Sequence, residues 1–249
     1  MPRRHFLPAL LMLALALPVA SHAAETNAQA IVEKADAIRF PTSAFQIAVK
    51  VTSTKSKGAP SLHEYQVLQK GHDNSIVRTM APATEKGQVM LLKGADLWLF
   101  LPSVSQPVRL PLSQRLTGQV ANGDLARANF AGDYNAKLLR SENVDGQDCQ
   151  VLELIAARKG VTYHRVLYWV NAQNFRPYKV EFYTLSGRLM KTGIYSDYKN
   201  MGGAMRPAKL VLQDALKKGE ESVLEYTSLT LRDIPDKFFA KDFLRKLGG

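Results

Sequence analysis

About a dozen short apolar runs, most of them closed by a turn signal, constrain this chain more than any other feature. Phe45, Ile47, Val49 and Val51 alternate with Gln46, Ala48, Lys50 and Thr52, the pattern of a strand with one face toward apolar material. Further strand-like runs lie at 62–69, 75–80, 87–92, 96–101, 134–143, 149–157, 161–171, 178–185, 188–198, 206–213 and 222–232. Gly71-His72-Asp73-Asn74, Asp145-Gly146, Asn171-Ala172-Gln173-Asn174, Ser186-Gly187 and Lys218-Gly219 supply turns between them. Connections this short do not accommodate the crossover helices of a parallel sheet. The spacing predicts a mainly β chain built on one meandering antiparallel sheet.

A sheet of about 11–12 strands cannot stay flat, because strand twist curls it toward a barrel. Such a barrel is too wide for its own side chains to fill, so helices or a ligand must occupy the inside. Three helical pieces are available. The first opens at a Thr26-x-x-Gln29 capping box, carries an apolar stripe of Ala28, Ile31, Val32, Ala35 and Ile38, and ends at Pro41. The second is a short helix, loop and short helix over 112–129, and the third is the tail over 237–247. They look too short to plug the barrel, which implies an apolar cavity under a helical lid. Ile31, Ile38, Leu112 and Leu116 are the expected lid residues. The expected cavity lining is Phe45, Ile47, Val49, Val89, Leu91, Trp98, Phe100, Tyr168, Val180 and Phe182. For the runs 97–101 and 166–170 both faces are apolar, so alternation leaves their inward face open.

The first 23 residues read as an address. Arg3 and Arg4 precede an apolar stretch at 6–19, and Ser21-His22-Ala23 forms a small-x-Ala exit, so cleavage is expected after Ala23. No Cys stands at the expected cleavage site, which excludes lipidation at the new terminus. The expectation is a single mature domain, 24–249, free in the periplasm. The chain carries 33 Lys and Arg against 22 Asp and Glu, a net charge of +11. A basic exported protein has anionic headgroups at a membrane surface, or acidic polysaccharide, as ready partners. Nucleic acid is disfavoured by compartment and by the lack of an aromatic–basic ladder. Cys149 stands alone, cannot staple the fold, and reads as a small buried hydrophobe.

Enzyme signatures are missing: there is no Gly-x-Ser-x-Gly elbow, no His-Glu-x-x-His and no phosphate loop. His63, His72 and His164 are too scattered for a metal motif, and Glu220-Glu221 sits in a charged turn. No catalytic set, metal or cofactor is expected.

Residues 87–125 carry a more specific pattern. Trp98-x-Phe100-x-Pro102 is followed by Arg109 and by a Gly-bearing segment ending in Asp124-Leu125. This resembles the LolA-like outer-membrane lipoprotein-sorting family, across essentially the whole mature chain. The resemblance implies an incomplete antiparallel β-barrel with a helical lid over an apolar interior that holds acyl chains. It further implies a carrier function without enzymatic activity, a lipoprotein or lipid cargo, an inner-membrane exporter of ABC or RND type, and an outer-membrane acceptor. In that family an arginine hydrogen-bonds from barrel to lid; Arg78 and Arg109 stand out as charges within strand-like stretches. Two other readings are a periplasmic sensor of lipid or misfolded lipoprotein that regulates envelope-stress signalling, and a hydrolase acting on envelope lipid or glycan.

Overall fold

The computed structural model describes residues 27–127 and 129–248. The expected leader, 1–23, lies outside them, as does Thr26. The chain opens with α1 (Ala28–Arg39), followed by strands β1 (Phe45–Thr54), β2 (Ser61–Lys70), β3 (Asn74–Ala81), β4 (Val89–Lys93), β5 (Asp96–Phe100) and β6 (Val108–Leu110). A connecting segment then carries β7 (Arg115–Thr117), β8 (Val120–Ala121), α2 (Asn122–Ala126) and α3 (Phe130–Asp133). Strands β9 (Tyr134–Val144), β10 (Gln147–Ala156), β11 (Arg165–Asn171), β12 (Pro177–Tyr183), β13 (Leu189–Met201), β14 (Ala204–Asp214) and β15 (Glu221–Leu231) follow. A 3-10 turn, Asp236–Phe239, leads into α4 (Lys241–Gly248).

All strands except β7 and β8 belong to one antiparallel sheet of 13 strands, ordered β6-β5-β4-β3-β2-β1-β15-β14-β13-β12-β11-β10-β9. Neighbours in the sheet are neighbours in sequence at every step but one. There β1 pairs with β15, Phe45 opposite Leu231 and Thr54 opposite Glu221. Among the described residues β6 and β9 do not pair, so the curled sheet is an incomplete barrel.

Alternation divides the strands between two faces. The concave face carries Phe45, Ile47, Val49 and Val51 of β1, Leu152 and Leu154 of β10, Val166, Tyr168 and Val170 of β11, and Val180 and Phe182 of β12. Against it pack Ile31, Val32 and Ala35 of α1 and Leu112, Val120, Leu125 and Ala126 of the connecting segment. The convex face has two smaller clusters. Leu68, Ile76, Val89, Leu91 and Phe100 are covered by Ile234, Phe239 and Leu244 of the tail. Cys149, Val151, Leu167 and Trp169 form the other. Cys149 is thus buried among apolar neighbours, and burial raises its thiol pKa above the usual range.

Two local expectations are corrected. The helix cap is Asn27, whose Oδ1 accepts the N–H groups of Gln29 (3.1 Å) and Ala30 (3.3 Å). Gln29 does not complete a capping box, because its amide is spent on the start of β9. It donates to the carbonyl of Tyr134 (3.2 Å) and accepts from Ala136 N–H (3.1 Å). The expected first helix of the 112–129 region is instead the β7–β8 ribbon, since Gly118, at φ 49°, turns the chain back on itself.

Candidate functional site

The connecting segment, 111–133, crosses the concave face and fills it. The turn of its ribbon reaches β1 and β15, where Ser222 Oγ accepts Gln119 N–H (2.9 Å) and lies 2.7 Å from Ser53 Oγ. A Cβ on Gly118 would sit 2.1 Å from Ser53 Oγ, so only glycine allows this approach. Ser75 Oγ of β3 donates to the Ala126 carbonyl (2.6 Å). The barrel interior is therefore apolar as expected, but its own side chains occupy it. Between Phe45, Ile47, Val49, Leu125 and Tyr226 about 10 Å³ remains, no more than a single water needs.

A larger cavity, about 340 Å³, opens at the mouth between α1, the β2–β3 turn and α3. That is the lower end of the size range of small-ligand sites, roughly 300–1,000 Å³. Phe40 and Gln69 line both this cavity and the interior one, so they form the partition between them. The Phe40 ring stacks on Phe45 (5.8 Å between centroids) and meets Tyr226 edge-on (5.7 Å).

Polar contacts fasten the segment and α1 to the sheet. Lys191 of β13 reaches Asp124 of α2 at 2.7 Å, and the Tyr163 hydroxyl donates to the same carboxylate (2.7 Å). Ala121 N–H donates to it as well (2.9 Å). Burial pushes the Lys191 ammonium pKa below its usual value, and Asp124 opposes that shift. Asp133 of α3 accepts from both Arg127 Nη2 and Arg158 Nη2, each at 2.7 Å. Arg127 also donates to the Gly94 carbonyl (3.0 Å) and pairs with Asp73 (3.0 Å), tying the segment to the β2–β3 and β4–β5 turns. Burial works to lower the Arg127 pKa, but Asp133 and Asp73 hold it above the usual arginine value.

On α1, Arg39 pairs with Asp36 (3.0 Å) and lies over the Phe130 ring at 4.3 Å. Asp36 Oδ2 accepts Ala131 N–H (2.8 Å), and burial holds the Asp36 pKa above the usual carboxylate value despite Arg39. Arg206 of β14 donates through Nη1 to the carbonyls of Ala37 (2.8 Å) and Ile38 (3.1 Å), capping the C-terminal end of α1 from the sheet. The Tyr168 hydroxyl, fully buried on the concave face, has no hydrogen-bond partner among the described residues.

A family model described as an uncharacterized-protein-like family matches residues 71–246. No curated protein matches the chain. The crystal structure of a LolA superfamily protein from Nitrosomonas europaea is 58% identical, with a TM-score of 0.84, covering 87% of this chain and 99% of that one. This chain belongs to the LolA superfamily. Two more distant structures share the fold. One is a domain described as a putative outer membrane lipoprotein-sorting protein from Vibrio parahaemolyticus, at 22% identity and TM-score 0.74 over 88% of this chain and 98% of that one. The other is a DUF1329 family protein from Desulfovibrio piger, at 21% identity and TM-score 0.74 over 87% and 97%.

In this LolA superfamily chain the expected lining residues separate into two groups. Phe45, Ile47, Val49, Tyr168, Val180 and Phe182 face the interior. Val89, Leu91 and Phe100 do not. They lie on the convex face beneath the tail, and Trp98 shares that face, opposite Leu91, with Lys241 Nζ over its ring. Their places inside are taken by Met90, Leu92 and Leu97, one residue out of phase. Strands β4 and β5 are buried on both sides, so alternation carried no facing signal there. Of the expected lid residues, Ile31 and Leu112 are buried in the interior cluster, Leu116 packs against it, and Ile38 is half-buried. Arg78 donates to Gln66 Oε1 (3.0 Å), and Arg109 pairs with Asp96. Among the described residues Arg206 bonds from the sheet to the opening helix. Sequence reasoning also missed Lys191, although it shares the inward phase of Gly193 and Tyr195 along β13.

Proposed function

We propose that this chain is a periplasmic carrier that takes acyl chains of a lipoprotein or lipid into the barrel and shuttles them between inner and outer membrane. Residues 1–23 are its cleaved leader and 24–249 its carrier domain. An exporter of ABC or RND type hands over the cargo, and an outer-membrane acceptor takes it. The observation that carries this reading is the connecting segment itself. It packs its apolar side chains into the barrel, and charged and polar groups fasten it as well: Lys191–Asp124, Arg127–Asp133–Arg158 and Gln119 N–H to Ser222. A segment fastened this way can leave as a unit and expose the concave face to cargo. Among the described residues no helix is long and apolar enough to cross a membrane, and no group of three or more His, Cys, Asp and Glu could hold a metal ion.

Burying one methylene contributes about 0.8 kcal/mol, so a long acyl chain supplies on the order of 10 kcal/mol. That is enough to displace a segment held by a few ion pairs, and too much for release without a receiving site. Phe40 and Gln69 stand where an acyl chain entering from the mouth cavity must pass. Native mass spectrometry of protein purified from its own envelope tests the reading. Acylated species bound one per chain, displacing a fluorescent fatty acid, are expected. Protein that carries no lipid and does not bind the probe overturns it.

A further inference from the structure

The register of the sheet brings four hairpin ends to one rim. Ile155 lies opposite Arg165, Arg165 opposite Tyr183, Lys191 opposite Asp214, Gln213 opposite Glu221, and Glu221 opposite Thr54. On this rim stand the two most exposed large apolar side chains of the described residues, Leu185 at 78% and Leu216 at 67%. Met190, 41% exposed, joins them: it lines one surface depression with Leu185 and the next with Leu216. Its carbonyl also accepts Ala215 N–H (3.0 Å). Single exposed leucines are ordinary on a protein surface, whereas a contiguous patch marks an interaction site.

The turns that present these leucines are well made. Thr184 Oγ1 accepts Arg188 N–H (3.1 Å), and Gly187 N–H donates to the Thr184 carbonyl (3.0 Å) around Leu185. Asp214 Oδ1 accepts the N–H groups of Leu216 (2.8 Å) and Lys217 (3.0 Å). A polar residue at either tip would keep all of these bonds, so neither leucine is there for the fold. Cations surround the patch: exposed Arg188, Lys217 and Lys218 in the same turns, Lys159 in the β10–β11 loop, and Lys55 and Lys57 in the β1–β2 loop. Of the acids at this rim, Asp214 caps its turn, Glu220 lies 3.7 Å from Lys217, and Glu221 accepts from Gln213 (3.4 Å). The opposite rim carries Asp73, Asp145, Asp233 and Asp236 in its turns and tail together with exposed Lys93, Arg232, Lys237 and Lys241. The leucine rim is therefore set apart by joining cations to exposed apolar side chains.

We propose that this rim docks on an anionic lipid bilayer, with Leu185 and Leu216 inserted at the boundary between headgroups and acyl chains and the surrounding cations on the headgroups. The exposed leucines stand on the rim outside the interior cluster, and the proposal does not rest on the carrier reading.

Flotation of the full chain with vesicles of phosphatidylethanolamine and phosphatidylglycerol, against phosphatidylcholine alone, tests this. Binding to the anionic vesicles only, weakened by salt, is expected. Leu185→Ser/Leu216→Ser should lower the partition coefficient about tenfold at unchanged melting temperature, and Lys217→Glu/Lys218→Glu should do likewise. The Leu185→Trp variant should show a blue-shifted emission with anionic vesicles. A leucine double variant that floats like the parent, a Leu185→Trp emission unmoved by vesicles, or a parent chain that stays off anionic vesicles overturns the proposal. Fatty-acid probe binding to the leucine double variant, measured without vesicles, should be unchanged, so failure here is distinct from failure of the carrier reading.

Discussion

Lys191 and Asp124 meet 2.7 Å apart inside the barrel, joining a strand of the sheet to the segment that fills it, with side-chain exposures of only 5% and 10%. Removing one partner of a buried pair leaves the other uncompensated, at a cost of about 3–5 kcal/mol. Asp124→Asn should therefore lower the urea unfolding free energy by that order. Lys191→Met/Asp124→Leu should recover much of it, because two apolar groups leave no charge stranded. A double variant as unstable as the single one would show that the pair is not the source of the loss.

Arg206 sets the attachment of the opening helix. Arg206→Met removes charge-assisted bonds to the Ala37 and Ile38 carbonyls, worth roughly 1.5–3 kcal/mol. Amide hydrogen exchange should accelerate over 30–40, while amides of β10 to β12 keep their protection. Uniform acceleration across the sheet would mean that α1 is an inseparable part of the core.

Phe40→Ala should open the partition between the mouth cavity and the interior. Uptake of a fluorescent fatty acid should speed up, and its retention should shorten, with the equilibrium strand signal in circular dichroism unchanged. Unaltered uptake kinetics would move the entry route elsewhere.

All nine tyrosines are held above the ordinary phenol value of 10.0. Burial is the chief cause for most. Tyr178, pushed up to about 12, is held first by its hydrogen bond to Asp145, and Tyr183, also about 12, by burial and then by Glu181. With folded values raised, the unfolded chain releases these protons first. The stabilisation is intact below about pH 10 and is lost as pH rises through the folded values. Near-ultraviolet absorbance should show no phenol titrating near 10 until the protein unfolds, and melting temperature should fall steeply above that pH. A normal titration of several tyrosines in folded protein would contradict the buried interior.

The meander was legible because its signal is local. A strand that buries one face announces itself by alternation, and Asp145-Gly146 or Ser186-Gly187 marks where it turns. Facing was legible only where the other side is wet. Phe45, Ile47 and Val49 could be placed inward, whereas the 89–92 run could not, because residues 234–244 cover its far side and no local pattern reports a distant cover. The polar fastenings were hidden for the same reason. Asp133 gathers Arg127 and Arg158 from 6 and 25 residues away, and nothing in any one of these stretches reveals the other. The ribbon over 112–121 was misread because Gly118 is needed for its closeness to Ser53, a contact from the far side of the barrel.

The pairing of β1 with β15 sets an order of events. Phe45 lies opposite Leu231, so the first strand of the sheet has only one neighbour until the last has been synthesised. Closing so long a loop is slow relative to local hairpins, and the early strand edge stays open meanwhile. A growing chain of this design cannot complete its core before β15 is made, and its aggregation hazard is concentrated in that interval. The same delay leaves the concave face uncurled until β1 finds its second neighbour.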